Sequence, residues 1–280
     1  MRDIGPVLIT GCSSGVGQAA ARAFRAAGFE TFATARNPDA LLELQAIGCR
    51  LLPLDVTDEP ARRAAVEAVE AEFGAVGVLV NNAGYAQYGP LEEITLDDLR
   101  RQFETNVFGA LRLAQLVLPA MRRVGRGRIV NVSSVAGRVS VLGGGPYHAS
   151  KFALEALTDA LRPEVEPFGV KVVNVLPGPI ATRFESTLLK SIAEPGADSP
   201  YAPFRKHLAR RMHEFLRAGS FGVMSAEDVA KIVLKAGATP RPRTRYHVGF
   251  VARFGPWGRA LVPDRLVDAA TRWHMSSKWN

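Results

Sequence analysis

Only two cysteines, Cys12 and Cys49, occur in 280 residues, and they form no CxxC pair. The chain therefore lacks the means for a disulfide framework, and a reducing compartment is expected. Long apolar runs are also missing. None approaches the roughly 20 residues needed to cross a bilayer. The start, Met1-Arg2-Asp3-Ile4-Gly5-Pro6, runs straight into an apolar strand and lacks the form of a signal peptide, so a cytoplasmic protein is expected. The histidines are scattered without metal-ligand spacing, so no metal is expected. There is no internal repeat and no low-complexity segment. What remains, 47% hydrophobic and 22% charged residues with 8% aromatics, is the make-up of a soluble globular chain. It is long enough for one large α/β domain or two small ones.

Net charge is nearly absent from one region and concentrated in another. Residues 201–280 hold 15 Lys/Arg against 5 Asp/Glu, whereas residues 1–200 hold 20 against 22. The net charge of +8 thus belongs to the last quarter. A solubilising surface is the expected reading. Steering of anionic ligands and contact with an anionic membrane surface are the alternatives. No nucleic-acid partner is expected.

Short apolar runs alternate with helical patterns through the first 180 residues. Strands are predicted at Val7–Thr10, Thr31–Ala35, Arg50–Leu54, Val78–Asn81, Arg128–Val132 and Lys171–Val175. Helices are predicted near Val16–Ala27, Asp39–Ile47, Glu59–Phe73, Leu96–Leu118 and Tyr147–Phe168. The runs are continuously apolar, as a parallel sheet covered on both faces requires. The predicted fold is a doubly wound, Rossmann-like α/β sheet of about seven strands. Residues 177–220 read as a loop and lid, with Phe204, Leu208, Met212 and Phe215 at helical spacing. A helix at Ala226–Ala236, a last strand at Arg245–Val251 and a helical tail over Trp257–Trp273 follow, with residues 255–280 as an extension. No linker sets the tail apart, so one domain over 1–280 is expected.

Two local patterns carry chemistry. Thr10-Gly11-Cys12-Ser13-Ser14-Gly15-Val16-Gly17 follows the first strand and opens the first helix. Glycines there let backbone approach a pyrophosphate at a helix N-terminus. No P-loop lysine is present, which argues against an NTPase. Second, Tyr147 and Lys151 stand four apart on one helix face. A nearby ammonium favours the charged phenol, as a general acid/base requires. With 5 Tyr and 7 Lys in the chain, such a pair arises by chance in about one sequence in eight, so the spacing alone decides nothing.

The turn, the pair and the motifs between them resemble the short-chain dehydrogenase/reductase family over residues 7 to 185, and more loosely beyond. The turn is similar to the family's TGxxxGxG. Asp55-Val56-Thr57 follows the third strand, and Asn81-Asn82-Ala83-Gly84 matches the family's NNAG. Asn106 falls in the next helix, Ile129–Ser134 ends the fifth strand, and Pro177-Gly178 follows the sixth. The family's serine lies thirteen residues before its tyrosine, which selects Ser134 over Ser133. The branch it most resembles holds 17β-hydroxysteroid-like and retinol-like oxidoreductases.

The resemblance implies hydride transfer between a nicotinamide cofactor and a carbonyl/alcohol pair. Tyr147 would give or take the proton, with Lys151 lowering its pKa and binding the nicotinamide ribose. Ser134 would hold the substrate oxygen, and Asn106 would fix a water linking Lys151 to solvent. The implied cofactor residues are Thr10, Gly11, Ser13, Ser14, Gly15, Val16 and Gly17 at the turn and Arg36 after the second strand. Asp55, Val56, Asn82, Ala83, Gly84, Tyr147 and Lys151 continue the set, which ends with Pro177, Gly178, Ile180 and Thr182. Where NAD enzymes tend to carry an acid, this chain has Ala35 and Arg36, and a guanidinium fork suits a 2′-phosphate. NADP(H) is expected, with NAD(H) as the alternative should Arg36 only stack on adenine.

Ser134, Ala136, Leu142, Tyr147 and Phe184 are expected at the substrate. The apolar segment 135–146 and Phe184, Leu188, Leu189, Phe204 and Phe215 suit a hydrophobic ketone or alcohol. Packing of a lid is the other reading of those five. Arg183 would meet an acidic substrate group or face solvent. His148, beside Tyr147, should point about 100° away from it and has no assigned role. The family implies a homodimer or homotetramer. Two alternatives remain: a non-catalytic NADP-binding regulator, and a membrane-peripheral dehydrogenase of lipid-like substrates seated by Phe254, Trp257, Leu261, Val262 and Trp273.

Overall fold

The computed structural model describes residues 4–182, 184–193, 199–217, 219–220 and 222–276. The readings placed on Met1–Asp3, Arg183 and the Trp273 side chain lie outside what is described. Strands and helices alternate: β1 (Val7–Ile9), α1 (Gly15–Ala26), β2 (Thr31–Ala35), α2 (Leu42–Ala46), β3 (Arg50–Pro53), α3 (Glu59–Phe73) and β4 (Val78–Asn81). Next come α4 (Leu96–Phe103), α5 (Gly109–Arg123), β5 (Gly127–Val132), α6 (Gly145–Val165) and β6 (Val170–Pro177). The chain continues through α7 (Phe184–Ala193), α8 (Ala202–Leu216), α9 (Ala226–Ala238), β7 (Arg245–Val248), α10 (Phe250–Leu261) and α11 (Asp264–Ser276).

Among the described residues seven strands form one parallel sheet, in the order β3-β2-β1-β4-β5-β6-β7. Successive strand residues face opposite sides, which explains the continuous apolar runs. Val80, Val130 and Val173 join Phe24 and Val233 in the core under α1 and α9. Leu79, Ile129 and Val172 join Leu113, Met121 and Val66 under α3 and α5. The order reverses between β1 and β4, so a crevice opens at the carboxyl ends of these strands, which is where open parallel sheets bind ligands.

One polar row crosses the sheet. Asn81, Asn131 and Asn174 are in register on adjacent strands, and all are buried. Asn81 Nδ2 donates to Asn131 Oδ1 at 2.9 Å, and Asn131 Nδ2 donates to Thr158 Oγ1 at 2.9 Å.

Three elements differ from expectation. The helix predicted over Leu96–Leu118 is interrupted by a single π turn, Glu104–Phe108, before α5 continues to Arg123. A π turn inserts one extra residue and leaves no trace in apolar spacing. The last strand stops at Val248 because Gly249, at φ +90°, turns the chain into α10. The tail is two helices. Val262 is extended ahead of Pro263, and the proline has no N–H with which to continue α10. Among the described residues no helix is long and apolar enough to cross a membrane.

Candidate active site

The loops at the carboxyl edge of the sheet, roofed by α7 and α8, enclose one continuous cleft of about 2250 Å³. At one end β1 runs into the N-terminus of α1. Ser14, the residue before α1, makes no side-chain cap, and no acid stands in the first turn, so the first N–H groups face the cleft unneutralised. Close packing fixes this turn. A Cβ on Gly17 would sit 2.3 Å from Gly11 O and 2.4 Å from Asn82 Nδ2. Asn82 Nδ2 donates to the carbonyls of Thr10 (2.9 Å) and Gly11 (3.1 Å), and the amides of Asn82 and Ala83 donate to Thr10 Oγ1.

Beyond β2 the Arg36 side chain is exposed at the rim of the cleft. Asp55 closes a turn by accepting from Thr57 N (2.9 Å) and Thr57 Oγ1 (2.7 Å). Burial works against its charge, but those bonds and the nearby Arg36 and Arg62 hold it below the usual carboxylate value.

The other end centres on Tyr147, which is buried among Ala86, Tyr88, Ala136, Leu188, Phe204 and Leu208. The Ser134 hydroxyl stands near its phenol and favours the charged form. Lys151 Nζ donates to Val132 O at 3.0 Å and lies 5.8 Å from the Tyr147 ring centroid. Desolvation dominates both groups. Burial pushes the phenol up to about 12, partly offset by Ser134, and pushes the ammonium down to about 8, partly offset by Glu155. In this chain by itself, then, Lys151 does not bring the phenol down as expected. Tyr147 holds its proton at neutral pH.

Of the catalytic and cofactor residues that the resemblance implies, and of Ser134, Ala136, Leu142, Tyr147 and Phe184 expected at the substrate, all line this cleft except Thr10, Gly17 and Asn106. Thr10 and Gly17 stand behind its wall and shape the turn. Asn106 sits in the π turn, and both of its amide hydrogens are used: Nδ2 donates to Tyr85 O (3.0 Å) and Ser150 Oγ (3.1 Å), while Oδ1 accepts from Tyr85 N (3.1 Å). Ser150 Oγ in turn donates to Tyr147 O at 2.7 Å. The Asn106 side chain therefore holds α6 and the Tyr85 loop together.

Phe184, Leu188 and Phe215 line the cleft, whereas Leu189 and Phe204 pack the lid. Leu142 is half exposed at the cleft, and the Phe184 ring lies 5.5 Å from that of Tyr147, tilted by 59°.

Three features were not anticipated. His148 does not face away from the site: it is buried and lines the cleft, with its ring 5.9 Å from that of Tyr147. A residue in the first turn of α6 is enclosed by the loop folding back over it, so the helical angle alone misplaced it. Tyr88 lines the same wall. Glu155, one turn past Lys151, is buried and accepts from Arg245 Nε on β7 at 3.0 Å, with Arg138 Nε at 3.5 Å. The i, i+4 spacing of Lys151 and Glu155 was the available signal for it.

The short chain dehydrogenase family profile matches residues 6–192. The chain is 34% identical to an NADPH-dependent 3-dehydrocapnine reductase of Ornithobacterium rhinotracheale, over 93% of this chain and 94% of that one. It is 35% identical to a 3-ketodihydrosphingosine reductase of Bacteroides thetaiotaomicron, over 95% and 96%. A crystal structure of a short-chain dehydrogenase from Streptomyces avermitilis superposes with a TM-score of 0.78 at 35% identity, covering 98% of this chain and 97% of that one. Agreement along nearly the whole length, and not at the motifs alone, makes this chain an oxidoreductase of the short-chain dehydrogenase/reductase family.

Proposed function

We propose that the chain is an NADP(H)-dependent enzyme that interconverts a hydrophobic ketone or aldehyde and its alcohol, working as a reductase with Tyr147 as proton donor. The observation that carries this is the buried Tyr147, with Lys151 and Ser134 on the same cleft, set in an apolar wall that continues the cleft of the glycine turn. The donor set fits a dinucleotide phosphate. Uncapped N–H groups at α1 suit a pyrophosphate, the close-packed turn brings backbone to it, and the exposed Arg36 fork suits a 2′-phosphate. The names of two relatives, an NADPH-dependent 3-dehydrocapnine reductase and a 3-ketodihydrosphingosine reductase, support the reductive direction.

A bound nicotinamide cofactor would supply the hydride. The chain does the rest. Ser134 orients the carbonyl oxygen toward the phenol, and Tyr147 delivers its proton as negative charge grows on that oxygen. Lys151, which burial pushes down to about 8, is still mostly charged at neutral pH and offsets the phenolate left behind. Asn106 acts through Ser150 to hold Tyr147 in place. Phe184, Leu188, Met212 and Phe215 shield the reacting carbon from water and favour an apolar substrate.

The test follows NADPH consumption over aliphatic ketones, aldehydes, steroids, retinoids and quinones, with NADH in parallel. Turnover of apolar ketones with NADPH preferred over NADH is expected. Tight NADPH binding without turnover of any member would favour a non-catalytic binding protein instead.

A further inference from the structure

Beside Tyr147 the cleft wall carries two polar rings that its proton transfer does not use. Tyr88 is 6% exposed, with its ring centroid 6.2 Å from that of Tyr147. His148 Nδ1 lies 2.5 Å from Val139 O. A carbonyl oxygen only accepts, so Nδ1 carries the hydrogen. Burial pushes the imidazole below its ordinary value, so at neutral pH the ring is uncharged and Nε2 is bare. Nε2 stands 3.2 Å from the Tyr88 hydroxyl and therefore accepts its only proton.

The surroundings hold the pair in this arrangement. Tyr88 N donates to Ser191 Oγ of the lid at 3.0 Å. A Cβ on Gly144 would come within 2.5 Å of His148 Cδ2 and 3.0 Å of Tyr88 Cζ, so only glycine leaves room for both rings. With its hydrogen turned to His148, the Tyr88 oxygen presents lone pairs alone. The two phenols near the reacting centre thus have opposite roles: Tyr147 gives a proton and Tyr88 receives a hydrogen bond.

We propose that the Tyr88–His148 pair is a substrate-recognition site that accepts a hydrogen bond from a hydroxyl or ammonium group lying within two carbons of the reacting carbonyl. The proposal rests on the reading of this cleft as a ketone-reductase site. A substrate with only carbon at that place leaves the lone pairs of a buried oxygen without a donor, and one with a carbonyl or ether there sets lone pairs against lone pairs.

Three ketones of equal chain length test this with NADPH: a plain ketone, its α-hydroxy counterpart and its α-amino counterpart. The wild type should favour at least one donor-bearing ketone by roughly tenfold in kcat/KM. Which of the two it favours tells a hydroxyl from an ammonium. Tyr88→Phe removes the accepting oxygen, and its ratio should fall to near one. His148→Phe frees the Tyr88 proton to point into the cleft and should lower the ratio as well, so it serves the same comparison if Tyr88→Phe does not fold. Each ratio is taken within one enzyme, so a general loss of activity divides out. A wild-type ratio near one, or a ratio unchanged in both variants, overturns the site while leaving the reductase reading intact. Failure of the wild type to reduce any of the three, or any apolar ketone, overturns the reductase reading and this site with it.

Discussion

At the glycine turn, backbone meets backbone; across the cleft, α7 and α8 offer side chains to an open space. The turn leaves 2.3 Å between a Gly17 Cβ and Gly11 O, and Thr10 and Asn82 stitch β1 to β4 with four hydrogen bonds. The lid presents Phe184, Leu188, Met212 and Phe215 and is fastened at its outer end, where Arg205 grips Glu93 at 2.7 Å and Ile192 O at 2.9 Å. One side constrains residue identity through sterics, so few substitutions are tolerated. The other constrains only volume and polarity. A scaffold built this way holds one nucleotide chemistry constant while its substrate wall is free to vary.

Tyr147→Phe, the residue both sides serve, should show the largest effect. Turnover is expected to fall by about 10³, with NADPH affinity within twofold of wild type by calorimetry. Undiminished turnover would remove Tyr147 from the chemistry. Gly17→Ala should break the rigid side. The added methyl forces the turn apart, and we expect a melting point lower by about 5 °C together with NADPH affinity weakened at least tenfold. Phe215→Ala, on the permissive side, should instead raise KM for an apolar ketone a few-fold and leave the melting point within about 2 °C. Equal loss of melting point in the two variants would erase the contrast.

Arg36→Ala sharpens the cofactor side further: kcat/KM with NADPH should drop about tenfold and with NADH change little. Glu155→Gln should have the smallest effect, visible only against pH. The Glu155 charge raises the Lys151 pKa, and burial lowers it to about 8. Removing that charge takes the ammonium lower still, so the alkaline limb of kcat/KM should move to lower pH, with a loss of a few-fold near pH 8. A purely structural role for Glu155 would lower stability and leave the limb in place.

The rigid side was legible in the sequence. Its residues fall in two short runs, 10–17 and 82–83, each directly after a predicted strand, so the alternation, the turn and the order of motifs could all be read along the chain although the runs meet across 72 residues. The permissive side depends on contacts distant in sequence. Tyr88 meets His148 across sixty residues, and Arg205 reaches Glu93 across 112. No periodicity encodes such pairs. The helical angle sent His148 outward because it took no account of the loop that covers it. The π turn at Asn106 was hidden for a related reason: one extra residue shifts the helix phase without altering composition.

The row formed by Asn81, Asn131 and Asn174 has a consequence for catalysis. Ser134 lies three residues beyond Asn131, Gly84 three beyond Asn81, and Gly178 four beyond Asn174. A slip of one residue in any strand would turn its amide out of the row and into the opposite apolar layer. It would also carry the loop ahead of it by about 3.3 Å, enough to take Ser134 out of reach of Tyr147. The asparagines thus act as an alignment gauge, through which strand pairing sets the ångström-scale placement of the active-site loops.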